Sequence, residues 1–242
     1  MNLSLLREYV RTMLEFSIKG NKQNLSLDMP SKTRGYMSGH DISWSGKETN
    51  EEIYDWAVSM GLLESYGSPP SLVPDPPDIE YRVNELPIIA RQIDNPKNDP
   101  SMFEILDKNI EDLFDKVIKN AGHESHREVI LDLKEKVRPA IIYHKELYRQ
   151  KRPKELAKSV NFTLNAQPLE SAQTPSYPSG HAAEAYYIAH ALSDKFSDLS
   201  PLFYRVAQMI ADSRIDMGAH FPSDISAGKI LADALFSEAQ GV

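Results

Sequence analysis

The sequence predicts an all-α fold, a helical bundle with little or no sheet, on three observations. Apolar residues recur at helical spacing through most of the 242 positions. No stretch alternates with period two in β-branched residues. No internal repeat or low-complexity run interrupts the pattern.

Taken in order, Leu3, Leu6, Val10, Met13 and Leu14 mark an amphipathic opening helix over residues 3–18. Residues 19–50 turn polar and read as irregular. A short helix is predicted near 50–65, capped by Thr49 or Asn50, with Ile53, Trp56, Ala57 and Met60 on one side. Eight of the sixteen prolines fall between Pro69 and Pro100, which argues against long helices there and predicts a connector, an extended surface segment or a lid. Phe103, Leu106, Ile110, Leu113, Phe114 and Val117 predict one helix over 101–120. Val129, Leu133, Val137 and Ile141 predict another over 126–150, kinked at Pro139. Further helices are expected over 179–195, 202–216 and 222–239. The domain reading is an N-terminal extension, residues 1–100, packed on a helical core, residues 101–242, the two forming one continuous domain.

Composition narrows the function classes. With 41% hydrophobic and 26% charged residues the chain reads as an ordinary soluble globular protein. It has no cysteine, which excludes disulfides, thiolate metal sites and a catalytic thiol. A net charge of -8 argues against nucleic acid as a partner, so an anionic substrate has to be met by a local cluster of cations. Arg7, Glu8, Arg11 and Glu15 interrupt the apolar residues of the N-terminus, against a signal peptide, and no apolar run reaches the length of a membrane span. The expected localisation is cytoplasmic. Bundles of this size often pair, which leaves a homo-oligomer open.

Three segments gather chemistry. In Ser176-Tyr-Pro-Ser-Gly-His181 a Pro178-Ser179-Gly180 turn feeds a helix whose free N–H groups and dipole favour an anion, and His181 stands there as a proton donor. Lys145 and Arg152 lie seven residues apart, close to two helical turns, which puts both cations on one face about 10 Å apart. Pro153 then turns Arg152 off the helix end. In Ser213-Arg214-Ile-Asp-Met-Gly-Ala-His220-Phe-Pro-Ser-Asp224, Pro222 opens a helix with His220 just before it and Asp224 one turn on. That spacing lets Asp224 accept the Nδ1 proton of His220 and leaves Nε2 as a nucleophile. Each segment alone also reads as an ordinary turn, cap or solvated patch. Together they supply three cations, an in-line nucleophile and a leaving-group acid, the parts phosphoryl transfer needs.

The sets Lys145-x6-Arg152-Pro153, Pro178-Ser179-Gly180-His181 and Ser213-Arg214-x5-His220-x3-Asp224 resemble, in order and spacing, the signature of the type 2 phosphatidic acid phosphatase superfamily. That superfamily joins bacterial class A non-specific acid phosphatases, to which the chain looks most similar, with lipid phosphatases and vanadium-dependent haloperoxidases. The resemblance implies a helical bundle with the site at one end. It implies that Lys145, Arg152 and Arg214 hold phosphate with Ser179 and the Gly180 N–H, that His220 forms a phosphohistidine oriented by Asp224, and that His181 is the general acid. The implied function is metal-independent hydrolysis of a small soluble phosphomonoester with no resident cofactor. Vanadate would inhibit, or on the haloperoxidase alternative serve as cofactor; a non-catalytic phosphate-binding or interaction protein is the third reading. Lys154 departs from the acid phosphatases, which carry an aromatic residue there.

Other groups carry less. His123 and His126 with Glu124 have metal-ligand spacing but also read as a helix start. His40 with Asp41 near Trp44 reads as loop structure, and Tyr177, Tyr186 and Tyr187 either line the site's mouth or pack in the core.

Overall fold

The computed structural model describes residues 71–240. The expected helices at 3–18 and 50–65, the irregular stretch between them and the His40 group lie outside the described residues.

Every regular element among the described residues is helical, as the periodicity predicts. The α-helices are α1 (Ile79–Asp94), α2 (Phe103–Lys108), α3 (Ile110–Asn120), α4 (Arg127–Tyr148), α5 (Pro153–Ser159), α6 (Gly180–Lys195), α7 (Ser200–Asp216) and α8 (Pro222–Gln240).

Helix α1 overturns the expectation of an irregular 69–100 segment. The prolines cluster at its flanks, and Asp78 caps it by accepting a hydrogen bond from the Tyr81 N–H at 2.8 Å. Only Pro87 lies inside the helix, on the exposed side. Its opposite face buries Arg82, Glu85, Leu86 and Ile89. The single helix expected over 101–120 is broken into α2 and α3 at Asn109, whose φ of -133° and ψ of 49° are not helical. Pro139 does lie inside α4. That helix stops at Arg149, left-handed at φ 45°, so Arg152 is not on it; Arg152 has extended backbone and is the N-cap of α5.

Helix α6 is central and packs against α4, α7 and α8. Apolar on nearly all sides, it buries Ala182, Ala185, Ile188, Ala189 and Leu192, as a core helix must. The main core joins it to Phe114, Phe203, Ile210 and Leu231. A smaller cluster of Leu86, Ile89, Leu156, Ile215 and Phe221 brings α1 and α5 together with residues at the α7–α8 turn. Gly228 allows α8 to lie against the start of α6, because a Cβ there would fall 2.5 Å from the Ser179 carbonyl oxygen. The α7–α8 turn needs Gly218 for its φ of 70°.

Candidate active site

Local structure explains how each segment presents its side chain. After Gly218 the chain folds back on α7, with the Ala219 and His220 N–H groups both donating to the Arg214 carbonyl at 2.8 and 3.2 Å. His220 therefore precedes α8, and Asp224, in that helix's first turn, caps it by accepting the Phe221 N–H at 3.0 Å. The same carboxylate oxygen, Oδ2, meets Nδ1 of His220 at 3.2 Å and the Ser176 hydroxyl at 2.5 Å. At the other ring nitrogen Arg152 Nη1 lies 3.0 Å from Nε2. A guanidinium can only donate, so Nε2 carries the lone pair and Nδ1–H donates to Asp224.

Lys145, Arg152, Gly180, His181 and His220 line one cavity of about 280 Å³. The three segments expected to cooperate thus converge. Lys145 and Arg152 reach it from different elements, not from one helical face as the spacing suggested. Lys145 Nζ donates to the carbonyls of Pro175 and Ser176 at 2.5 and 3.5 Å. Arg152 also donates to the carbonyls of Thr174 and Ala219. Ser179 is fully buried and caps α6, its Oγ accepting the Ala182 N–H at 3.4 Å, while its own N–H donates to the Asp224 carbonyl.

Arg214 sits behind the cavity, fully buried. Its Nη1 pairs with Asp107 Oδ1 at 2.6 Å and its Nη2 donates to Ser171 Oγ at 3.0 Å. Its Nε is buried without a hydrogen-bond acceptor among the described residues, a donor an anion's oxygen can satisfy. His181 Nε2 donates to the Asp107 carbonyl at 2.8 Å, which leaves Nδ1 as its titrating nitrogen.

Crowded, buried cations set the electrostatics. Burial and the neighbouring Arg152 hold Lys145 well below the usual lysine range. Burial, then Arg152, Lys145 and Arg214, hold His220 well below the usual histidine range. Burial and Arg214 push His181 down to about 3. An anion in the cavity reverses the cationic part of each shift, and so returns a proton-holding capacity to His181.

Two participants were not anticipated from the sequence. Asp107, from α2, is the countercharge of Arg214. Arg82, from α1, donates from Nη2 to Asp224 Oδ1 at 3.2 Å, both side chains being buried. Neither lies within a recognisable motif.

A family model described as the PAP2 superfamily matches residues 137–237, which contain Lys145, Arg152, His181, Arg214, His220 and Asp224. Over these residues the chain is similar to the PAP2 superfamily. The coarse activity that goes with PAP2 membership is phosphomonoester hydrolysis. Arg82 and Asp107 lie outside the PAP2 match. A solved PAP2 structure, the crystal structure of the first transmembrane PAP2 type phosphatidylglycerolphosphate phosphatase from Bacillus subtilis, aligns at 17% identity and a TM-score of 0.44, over 79% of this chain and 94% of that one. No curated protein matches the chain. No helix among the described residues is long and apolar enough to cross a membrane.

The remaining candidates fall away from this PAP2 site. Lys195 Nζ donates to His126 Nε2 at 2.7 Å, and the His123 and His126 rings pack on Phe196. No group of three or more metal-ligating side chains occurs among the described residues. Tyr177, Tyr186 and Tyr187 are core residues; the Tyr177 hydroxyl donates to the Pro74 carbonyl at 2.7 Å. Lys154 is exposed and outside the cavity lining.

Proposed function

We propose that the chain is a phosphatase that hydrolyses small soluble phosphomonoesters without a metal, through a phosphoenzyme formed on His220. The observation that carries this reading is the His220 tautomer: Nδ1–H is held by Asp224, and the Nε2 lone pair faces cations that line a cavity. An entering phosphate replaces Nε2 as the acceptor for Arg152 and is held by Lys145, Arg152, the start of α6 and, through its unpaired Nε, Arg214.

The Nε2 lone pair then forms the P–N bond as the ester P–O bond breaks, and the departing oxygen takes the proton of His181. Neutral His181 next removes a proton from water, whose oxygen attacks phosphorus, and the P–N electron pair returns to Nε2. Free phosphate leaves, and His181 is protonated again. Roles in which His181 must be charged and His220 neutral give a bell-shaped rate profile.

The outer lining is Lys134, Glu135, Arg138, Ile141, Ile142 and Glu184, with no aromatic side chain among the described residues. A wall of that kind suits a polar, non-aromatic alcohol better than a nucleobase. Phosphate release from p-nitrophenyl phosphate, a sugar phosphate and a nucleotide, all with EDTA present, tests the reading. Activity is expected in EDTA and should fall by about 1000-fold or more in His220→Ala. An unchanged mutant removes His220 as nucleophile, and complete loss in EDTA removes the metal-free route.

A further inference from the structure

Helix α1 lies outside the region that carries the PAP2 match, yet it reaches the centre of the site with one buried charge. Arg82 is 2% exposed. Its Nη1 donates to Gln150 Oε1 at 2.6 Å, and its Nη2 donates to the Lys151 carbonyl at 3.2 Å and to Asp224 Oδ1 at 3.2 Å. Its guanidinium carbon stands 4.2 Å from the centre of the Phe221 ring. One side chain therefore ties together the segment leading to Arg152 and the carboxylate that orients His220.

The Asp224 acceptors explain why this tie matters. Oδ2 is used by Nδ1–H of His220, the Ser176 hydroxyl and the Phe221 N–H, whereas Arg82 is the only donor recorded to Oδ1 among the described residues. Asp224 is fully buried, so its ionised form needs both a countercharge and a donor on each oxygen. A neutral carboxyl no longer enforces the Nδ1–H tautomer, and the Nε2 lone pair is then not reserved for phosphorus.

Resting on the reading of His220 given above, we infer that Arg82 is a positioning residue of the phosphatase site, which holds Asp224 as a carboxylate and through it keeps His220 in the tautomer whose Nε2 is nucleophilic. It touches neither substrate nor the reacting atoms. Its effect passes through Asp224 on one side and through the 150–152 segment on the other.

The test compares Arg82→Gln and Arg82→Lys with wild type and with Gln92→Ala. Gln92 joins α1 to α7 through Asp216 and the Asp212 carbonyl, away from the cavity, and controls for a general loosening of α1. With p-nitrophenyl phosphate, Arg82→Gln should lose about 10- to 100-fold in kcat with KM changed less than about threefold, the size of effect an orienting partner has. Arg82→Lys should recover most of it, and Gln92→Ala should stay near wild type. Ring-nitrogen NMR of His220, which needs no turnover, should show the Nδ1–H tautomer in wild type and Arg82→Lys, and a mixture in Arg82→Gln. An unchanged His220 spectrum and kcat in folded Arg82→Gln overturn the inference, as does an equal loss in Gln92→Ala. If Arg82→Gln does not fold, the tautomer and kcat of Arg82→Lys decide, since loss of both despite the retained charge also overturns it. Failure of the functional reading looks different: wild type is inactive, or His220→Ala retains activity, while the NMR comparison still reports on Arg82.

Discussion

Glu184 stands one turn after His181 on α6 and lines the same cavity, and burial pushes its carboxyl up to about 7. A raised carboxyl pKa means the folded protein keeps a proton that the unfolded chain has already lost. The resulting penalty is absent below about pH 4.5, grows as pH rises, and is complete above about 7. Glu184→Gln is therefore expected to stabilise the protein at pH 8 by up to about 3 kcal/mol and to have no effect at pH 4. Urea unfolding at the two pH values checks this, and an equal effect at both would refute it. His144, buried and held down to about 4, works in the opposite sense: its contribution to stability is present above about pH 6.5 and is lost as pH falls toward 4. Residue contacts were legible where spacing encoded them, as for His220 and Asp224, four apart across a helix start. Asp107 and Arg82 were not legible, because each meets its partner, Arg214 or Asp224, across more than a hundred residues of chain. Nothing local distinguishes them from other charges on amphipathic helices.

Among the elements, α6 and α8 depend on one another at the cavity. The Ser179 N–H donates to the Asp224 carbonyl, and Gly228 lies under the Ser179 carbonyl with no room for a side chain. Gly228→Val is expected to push the start of α6 away from α8, lowering both the melting temperature and kcat/KM. Gly122→Ala, at a turn where nothing lies within 4 Å, meets backbone strain but no collision and should cost stability without a matching loss of activity. Thermal melts and phosphatase assays on the pair check this; equal activity losses would show that α6–α8 contact has no special place in the site. Helices α4, α6, α7 and α8 were legible nearly to their ends. Helix α1 was hidden by its flanking prolines, although only Pro87 falls within it. The break at Asn109 was hidden by an apolar pattern that runs on through both α2 and α3. Helix α5, seven residues long and opened by Pro153, is too short to show a period.

At the scale of the molecule, an acidic chain of net charge -8 places Lys145 and Arg152 in the lining of one cavity with Arg214 behind it, where Asp107 pairs with Arg214 and Glu135 and Glu184 share the lining. Burial first, and the neighbouring cations second, depress His181 and His220, and an anion relieves the cationic part. On the proposed mechanism, substrate entry therefore does more than fill the cavity: it would let His181 hold the proton that the leaving oxygen needs. The direct measurement of this account is to quench wild-type protein in alkali during turnover of p-nitrophenyl phosphate and map the phosphoryl group by peptide mass analysis. The expected result is phosphate on His220, absent in His220→Ala and accumulating in His181→Ala, where water is no longer activated. Phosphate on another side chain, or turnover with inversion of configuration at a chiral phosphorus, would contradict it.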